Sequence, residues 1–307
     1  MISPRLASAA LLGAGIAVGT ITDVVPVRRP VLRGGYVVLE ADMHVHSFLG
    51  DGALWPWDLA FEARRKGLDA IAITNHNQVL AARIGRWFSR QIEGPLVLVG
   101  EEITAPAYHL IAVGIEEAVG WRSTAAQAIE EVHAQGGAAI AAHPTRSYQG
   151  AYDAAALRAL DGAEVAHPFA YSAGMQELRD FFSRLALARA RPAPIGSSDY
   201  HVFSSLGLCR TYVFARQAGE RGLVEALRQG QTVAYDLGGM PHGDPELIRL
   251  LGTPPAPPAD APSIAVLARL GWICSWLGAL GLLLFRGAGD RYSISTPIAT
   301  TKRETML

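Results

Sequence analysis

From Tyr36 to about Tyr235 short apolar runs alternate with amphipathic stretches. The runs Tyr36–Met43, Asp69–Thr74, Pro95–Gly100, Tyr108–Ile115, Ala138–His143 and Arg210–Phe214 have the length and apolar content of buried strands. Trp57–Lys66, Ala81–Ile92, Ala125–Gln135, Gln176–Arg189 and Glu220–Arg228 carry apolar residues at helical spacing. Several of these helices stop at glycine, as in Lys66-Gly67 and Gln135-Gly136-Gly137, where a residue without Cβ ends a helix most easily. The alternation predicts an α/β fold with a parallel sheet or barrel, in one domain over residues 36–240. Closure into a barrel would gather strand ends around one mouth.

The two ends of the chain follow another pattern. Leu6–Ile21 is apolar and rich in Ala, Gly and Val, with Arg5 ahead of it, and suits a signal peptide, a signal anchor or a spanning helix. Ile264–Phe285 is apolar except for Arg269 and contains Trp272 and Trp276; it reaches the ~20 residues that a bilayer span needs. These features divide the chain into an anchor or signal segment with a basic linker (1–35), the domain (36–240), a Pro-rich linker (241–263), a transmembrane helix (264–286) and a basic polar tail (287–307). Arg286, Arg291, Lys302 and Arg303 favour a cytoplasmic tail, whereas Arg28, Arg29 and Arg33 pull the other way. The reading adopted is a membrane protein whose domain faces away from the cytoplasm.

Composition narrows the function. A net charge of −1 offers no basic surface for nucleic acid. Of the two cysteines, Cys209 lies in the domain and Cys274 in the apolar terminal stretch, so no disulfide is expected.

The chemistry lies at strand boundaries. His44 and His46 end the first strand; at i and i+2 on an extended chain they point to one side and can share a cation. Asp51 follows in Gly50-Asp-Gly52, His76 ends the second strand, Glu102 follows the third, His109 opens the next, His143 closes Ala139–His143, and Asp199 and His201 lie in Ser198-Asp-Tyr-His201. Six of nine histidines thus recur at strand boundaries with three carboxylates, a donor set able to hold two or three divalent ions of the Zn, Mn or Fe type. His167 lies just past another strand end, Gly162–Ala166, and suits proton donation to a leaving group or substrate contact; Glu164 is expected to pack or bond locally. His133 is expected on a solvated helix face, and His242 outside the domain. Arg146 and Arg210, nearest the ligands in sequence, are the candidate phosphate clamps.

In Asp42-Met-His-Val-His-Ser47, Asp51-Gly52, Ile73-Thr-Asn-His-Asn77, Gly100-Glu-Glu-Ile-Thr104, Ala142-His-Pro144 and Ser198-Asp-Tyr-His201 the chain resembles the PHP (polymerase and histidinol phosphatase) domain over residues 36–235. The resemblance implies a distorted seven-stranded β/α barrel, a di- or trinuclear metal centre and hydrolysis of phosphoesters. It also implies His44, His46, Asp51, His76, Glu102, His109, His143, Asp199 and His201 as ligands. One departure is Asn75, where family members usually have Asp.

The expected activity is that of a membrane-tethered phosphoesterase in which metal ions lower the pKa of a bridging water to supply hydroxide. Its partners would be the bilayer and a phosphorylated small molecule or nucleotide. Two alternatives keep the same residues: a multinuclear hydrolase of amides or esters, and a non-catalytic metal-binding scaffold.

Overall fold

The computed structural model describes residues 3–22, 31–122, 124–168, 175–202, 204–236, 239–253 and 262–285. Arg28, Arg29, Arg286, Arg291, Lys302, Arg303 and nearly all of the Pro-rich tract lie outside them. The chain forms two compact units, one from Met1–Val24 with Ala259–Leu307 and one from Val25–Pro258.

The larger unit is built on strands β1 (Val31–Arg33), β2 (Tyr36–Val45), β3 (Ala70–Ile73), β4 (Leu96–Ala105), β5 (Tyr108–Val113), β6 (Ala138–Ala141), β7 (Gly162–Ala166), β8 (Ala193–Gly196), β9 (Arg210–Ala215), β10 (Thr232–Tyr235) and β11 (Pro241–Gly243). They form one sheet in the order β11-β10-β9-β2-β3-β4-β5-β6-β7-β8, and β1 takes the edge of β2 at Tyr36–Val38 that β3 occupies from Ala41 onward. The expected parallel pairs are β2–β3–β4 and β6–β7–β8, while β4–β5–β6 and β2–β9–β10 are antiparallel. The sheet is a nearly closed barrel. Its seam is stitched by side chains: Thr211 Oγ1 accepts from Gly196 N at 2.9 Å and donates to Gly196 O at 2.8 Å, and Thr232 Oγ1 donates to Pro194 O. A Cβ at Gly196 would stand 2.6 Å from Arg210 O, so the two strands approach too closely there for any side chain.

Inside the barrel Leu39, Ala41 and Met43 meet Leu98, Ile111 and Ile140, and Leu223 and Leu227 of helix α7 (Glu220–Arg228) plug one end. Outside, α2 (Pro56–Arg65), α3 (Leu80–Gln91), α4 (Ala125–Ala134), α5 (Ala154–Ala159) and α6 (Met175–Ala188) cover the sheet through residues such as Leu59, Ile71, Ile129 and Phe181. Thr124 and Gln127 close a capping box at the start of α4. The domain edge expected at residue 240 moves outward. β11 pairs with β10, and α8 (Pro245–Leu251), capped by Asp244, packs Leu247 and Leu251 against Tyr212 and Phe214. Val31 and Thr253, near the two ends of this unit, line one cavity of about 230 Å³ at the foot of the barrel, near the start of β2. Val31 pairs with Val38, about 23 Å of strand from the end of β2.

The second unit pairs α1 (Pro4–Thr22) with α9 (Pro262–Leu284), both long and apolar enough to cross a membrane. The two run antiparallel, since Gly15 meets Ser275 while Gly278 meets Leu12 and Gly281 meets Ser8. Small residues allow this approach, and Ser8 and Ser275 turn their hydroxyls onto their own helix carbonyls. Leu284 and Trp272 remain exposed.

Candidate metal centre

The metal-type residues meet at the end of the barrel away from α7. A register shift in β2 between Asp42 and Val45 changes its alternation: Met43 faces the barrel interior, yet Val45 packs outward with Leu59 and Ile73. Such bulges re-aim side chains, and here the shift brings His44 and His46 together, with Nε2 atoms 3.0 Å apart. Asp42 anchors the shifted segment by accepting from Ser198 N and Gly207 N, drawing the loop after β8 against β2. His46 N then donates to Tyr200 O at 3.0 Å, next to Asp199. Asn77 (φ 49°), His143 (φ 23°) and Asp199 (φ 44°) all adopt left-handed backbone conformations, which store strain where loops are bent to place donors.

The donors fall into four overlapping groups: His46, Asp51, His76 and His201; His44, His46, Glu102 and Asp199; Glu102, His109 and His143; and His44, His143, His167 and Asp199. Glu102 links three of the rings directly, with its oxygens 3.0 Å from His76 Nδ1, 2.7 Å from His109 Nδ1 and 3.0 Å from His143 Nε2. Asp51 lies 3.1 Å from His46, His76 and His201. His109 belongs here because β5 is antiparallel to β4, so the start of one strand stands beside the end of the other and Thr104 pairs with His109.

Electrostatics in the cluster are set by this crowding. Burial disfavours charge on His46, but Asp199, Asp51 and Glu102 outweigh it and push the ring up to about 10. His44 is also raised, because Asp199, Glu102 and Glu164 together overcome its burial. Glu102 and Asp199 are held well below the usual carboxylate range by the surrounding histidines, despite burial.

The donor geometry fits cations better than it fits a hydrogen-bond network. Asp199 Oδ1 is buried with no hydrogen-bond partner, although His44 Nε2 and His46 Nε2 lie 3.1 and 3.3 Å from it. Several lone-pair atoms therefore aim at shared points instead of pairing off, and mixed imidazole and carboxylate donors suit divalent ions.

Glu164 plays a larger part than local bonding. Fully buried, it accepts from His44 Nδ1 at 3.0 Å, from the Ser197 hydroxyl and from His143 N. Burial would raise it, yet His167 and His44 bring it down to about 2. By taking the Nδ1 proton it leaves the His44 Nε2 lone pair facing the cluster. Asn75 turns away from the donors: Oδ1 accepts from Ser47 N and Nδ2 donates to Ser47 O, a pair of bonds an ionised Asp could not make.

The other expected residues sort by contact. His167 is fully buried, 3.3 Å from Asp199 Oδ2, and is absent from the lining of the open cavity that holds Asp51, His76, His109 and His143. Arg210 is not brought to the cluster: it donates to Glu40 Oε1, Gly207 O and Lys66 O, because β9 runs down the barrel. Arg146 stays exposed beside the mouth, 3.2 Å from Glu177. His133 is not simply solvated; it pairs with buried Asp161 at 2.7 Å. His242 lies on β11 against Asp236.

No protein-family model matches the chain. It is 28% identical over 117 residues to an uncharacterized protein of Methanocaldococcus jannaschii, covering 34% of this chain and 68% of that one. A two-domain Bacteroides vulgatus protein containing a predicted PHP-like metal-dependent phosphoesterase superposes with a TM-score of 0.59 at 25% identity, over 73% of both chains. A Bifidobacterium adolescentis structure, assigned as a metal-dependent phosphoesterase, superposes with a TM-score of 0.45 at 20% identity, covering 69% of this chain and all of that one. The larger unit of this chain thus has a PHP-type barrel fold, with six PHP-like motifs in order at its mouth.

Proposed function

We propose that this protein is a membrane-tethered, metal-dependent phosphoesterase. The observation that carries the reading is the convergence of ten donors, all but Asp51 buried or half-buried, into overlapping groups that share Glu102, Asp199, His44, His46 and His143. Overlap of this kind places ions close to one another, as the two- and three-ion hydrolases of phosphoesters require. Divalent ions bound there, two or three in number and of the Zn, Mn or Fe type, would supply an activated water and offset charge on the phosphoryl oxygens.

The chain's own residues do the rest. Glu164 fixes the tautomer of His44, Asp42 and Asn75 hold the loops that carry Asp199 and Asp51, and His167 backs Asp199 from the interior. Arg146, at the rim and held by Glu177, is the candidate clamp for a phosphate oxygen. A scaffold would have no need of so many strained and desolvated donors.

The tether is the antiparallel pair α1 and α9. Their packing through Gly15, Gly278 and Gly281 supports an N-terminal segment that stays with the protein. Two spans put both chain ends on one side of the membrane. Arg5, Arg286, Arg291, Lys302 and Arg303 then favour cytoplasmic termini and an extracytoplasmic barrel.

The test uses the full chain in nanodiscs, loaded with Mn or Zn and given an aryl phosphate ester. Hydrolysis is expected, and His44→Ala should abolish it; activity retained by that variant would refute the site.

A further inference from the structure

Next to the mouth stands an exposed aromatic group that the metal chemistry does not use. Phe48, two residues beyond His46, lies 4.5 Å from the Trp55 ring, and Trp55 stacks on Trp57 at 5.2 Å with only 4° between planes. Phe48 is 54% exposed, Trp55 38% and Trp57 37%. The group is tied to the site by backbone: Phe48 N donates to Leu54 O, and Ala53 N donates to His201 O. Val202, also exposed and next to His201, lines the cavity of about 570 Å³ into which Asp51, His76, His109 and His143 face.

Exposed aromatics stacked beside a site of charged donors mark a place where something apolar is bound. Their open area is roughly 300 Å² from typical side-chain sizes. That is well under half of the ~800 Å² per partner in a stable protein interface, and enough for one fused ring system.

We propose that Phe48, Trp55 and Trp57 form a ledge for the organic part of the substrate, and that the enzyme selects phosphoesters bearing a planar, apolar group. The proposal rests on the phosphoesterase reading, since it seats the phosphoryl group at the metal donors. The phosphate would enter the cavity beside His109 and His143, and the planar group would lie on the ledge.

The experiment is a binding titration of the metal-loaded full chain in nanodiscs with two non-hydrolysable probes, naphthylphosphonate and methylphosphonate, with empty nanodiscs as the blank. The naphthyl probe should bind at least tenfold more tightly, and Trp55→Ser and Phe48→Ser should each remove most of that ratio. Equal affinities, no binding of either probe, or a ratio unchanged in both variants would overturn the proposal. Hydrolysis of an aryl phosphate is measured on the same preparation: its absence removes the phosphoesterase reading, while the affinity ratio still decides the ledge. A spin label at Phe48→Cys, in a Cys274→Ser background, reads what covers the ledge. Accessibility to aqueous nickel is expected, and protection by lipid would overturn the assignment.

Discussion

Glu164 Oε1 stands 3.0 Å from His44 Nδ1, and neither side chain is exposed to solvent. One carboxylate in the middle of β7 thereby fixes which nitrogen of a β2 histidine faces the cluster. Partners of this kind change metal affinity or activity by ~10–100-fold when lost. Glu164→Gln is expected to weaken metal binding within that range, measured by competition with a chelator, and to lower turnover in parallel. Glu164→Ala should also destabilise the fold, because His143 N and the Ser197 hydroxyl lose their acceptor.

The seam makes a separate prediction. Thr211→Val removes the hydroxyl that both accepts from and donates to the backbone of Gly196, leaving a buried N–H and C=O without it. A loss of about 1–3 kcal/mol is expected in urea unfolding. Gly196→Ala should cost more, since its Cβ has no room against Arg210 O.

Asn75→Asp would restore the residue usual in the family, yet here it should destabilise. The side chain is buried and its amide group donates to Ser47 O, so a carboxylate loses that bond and gains an uncompensated charge. A lowered Tm of the chelator-treated protein is the expected result; an unchanged or higher Tm contradicts it.

The pH dependence follows from the directions of the shifts. His46 rises to about 10 in the folded state, so its contribution is complete below ~6.5, the value of an unperturbed ring, and is lost as pH climbs toward 10. Glu102, Asp199 and Glu164 are lowered, so theirs is present above ~4.5 and lost on acidification. Metal-free protein should therefore be most stable near pH 5–6.5. Metal binding needs deprotonated rings, so the gain in Tm on adding Zn or Mn should grow from pH 6 to 8. A gain that shrinks over that interval contradicts the donor assignment.

The helices and most strands were legible because their patterns are local. Helix α7 lies at the bounds expected from its periodicity. The nine candidate donors could be picked out because short motifs recur at strand boundaries, and the structure brings all nine together in the donor groups. Pairing direction was not legible from periodicity. Arg210 follows His201 closely in sequence, but β9 carries its side chain toward Glu40 and Lys66. Glu164 did leave a signal, an acidic residue inside the apolar run Gly162–Ala166. Acidic side chains are almost never fully buried without a partner, and that rule points to a bond across the sheet. β8 and α5 were missed as elements because they are short and made largely of Ala, Gly and Pro.

Val31 and Thr253 line the same cavity at the foot, so the barrel begins and ends at one place, remote from its mouth. On the proposed reading, what the barrel does and where the chain is held are carried by separable stretches of sequence. Residues 31–253 cut free of both apolar helices would keep every donor and the ledge together. Their two new ends would lie close enough to be joined by a short peptide. Address and chemistry can then vary independently, in evolution or at the bench, with no change at the mouth.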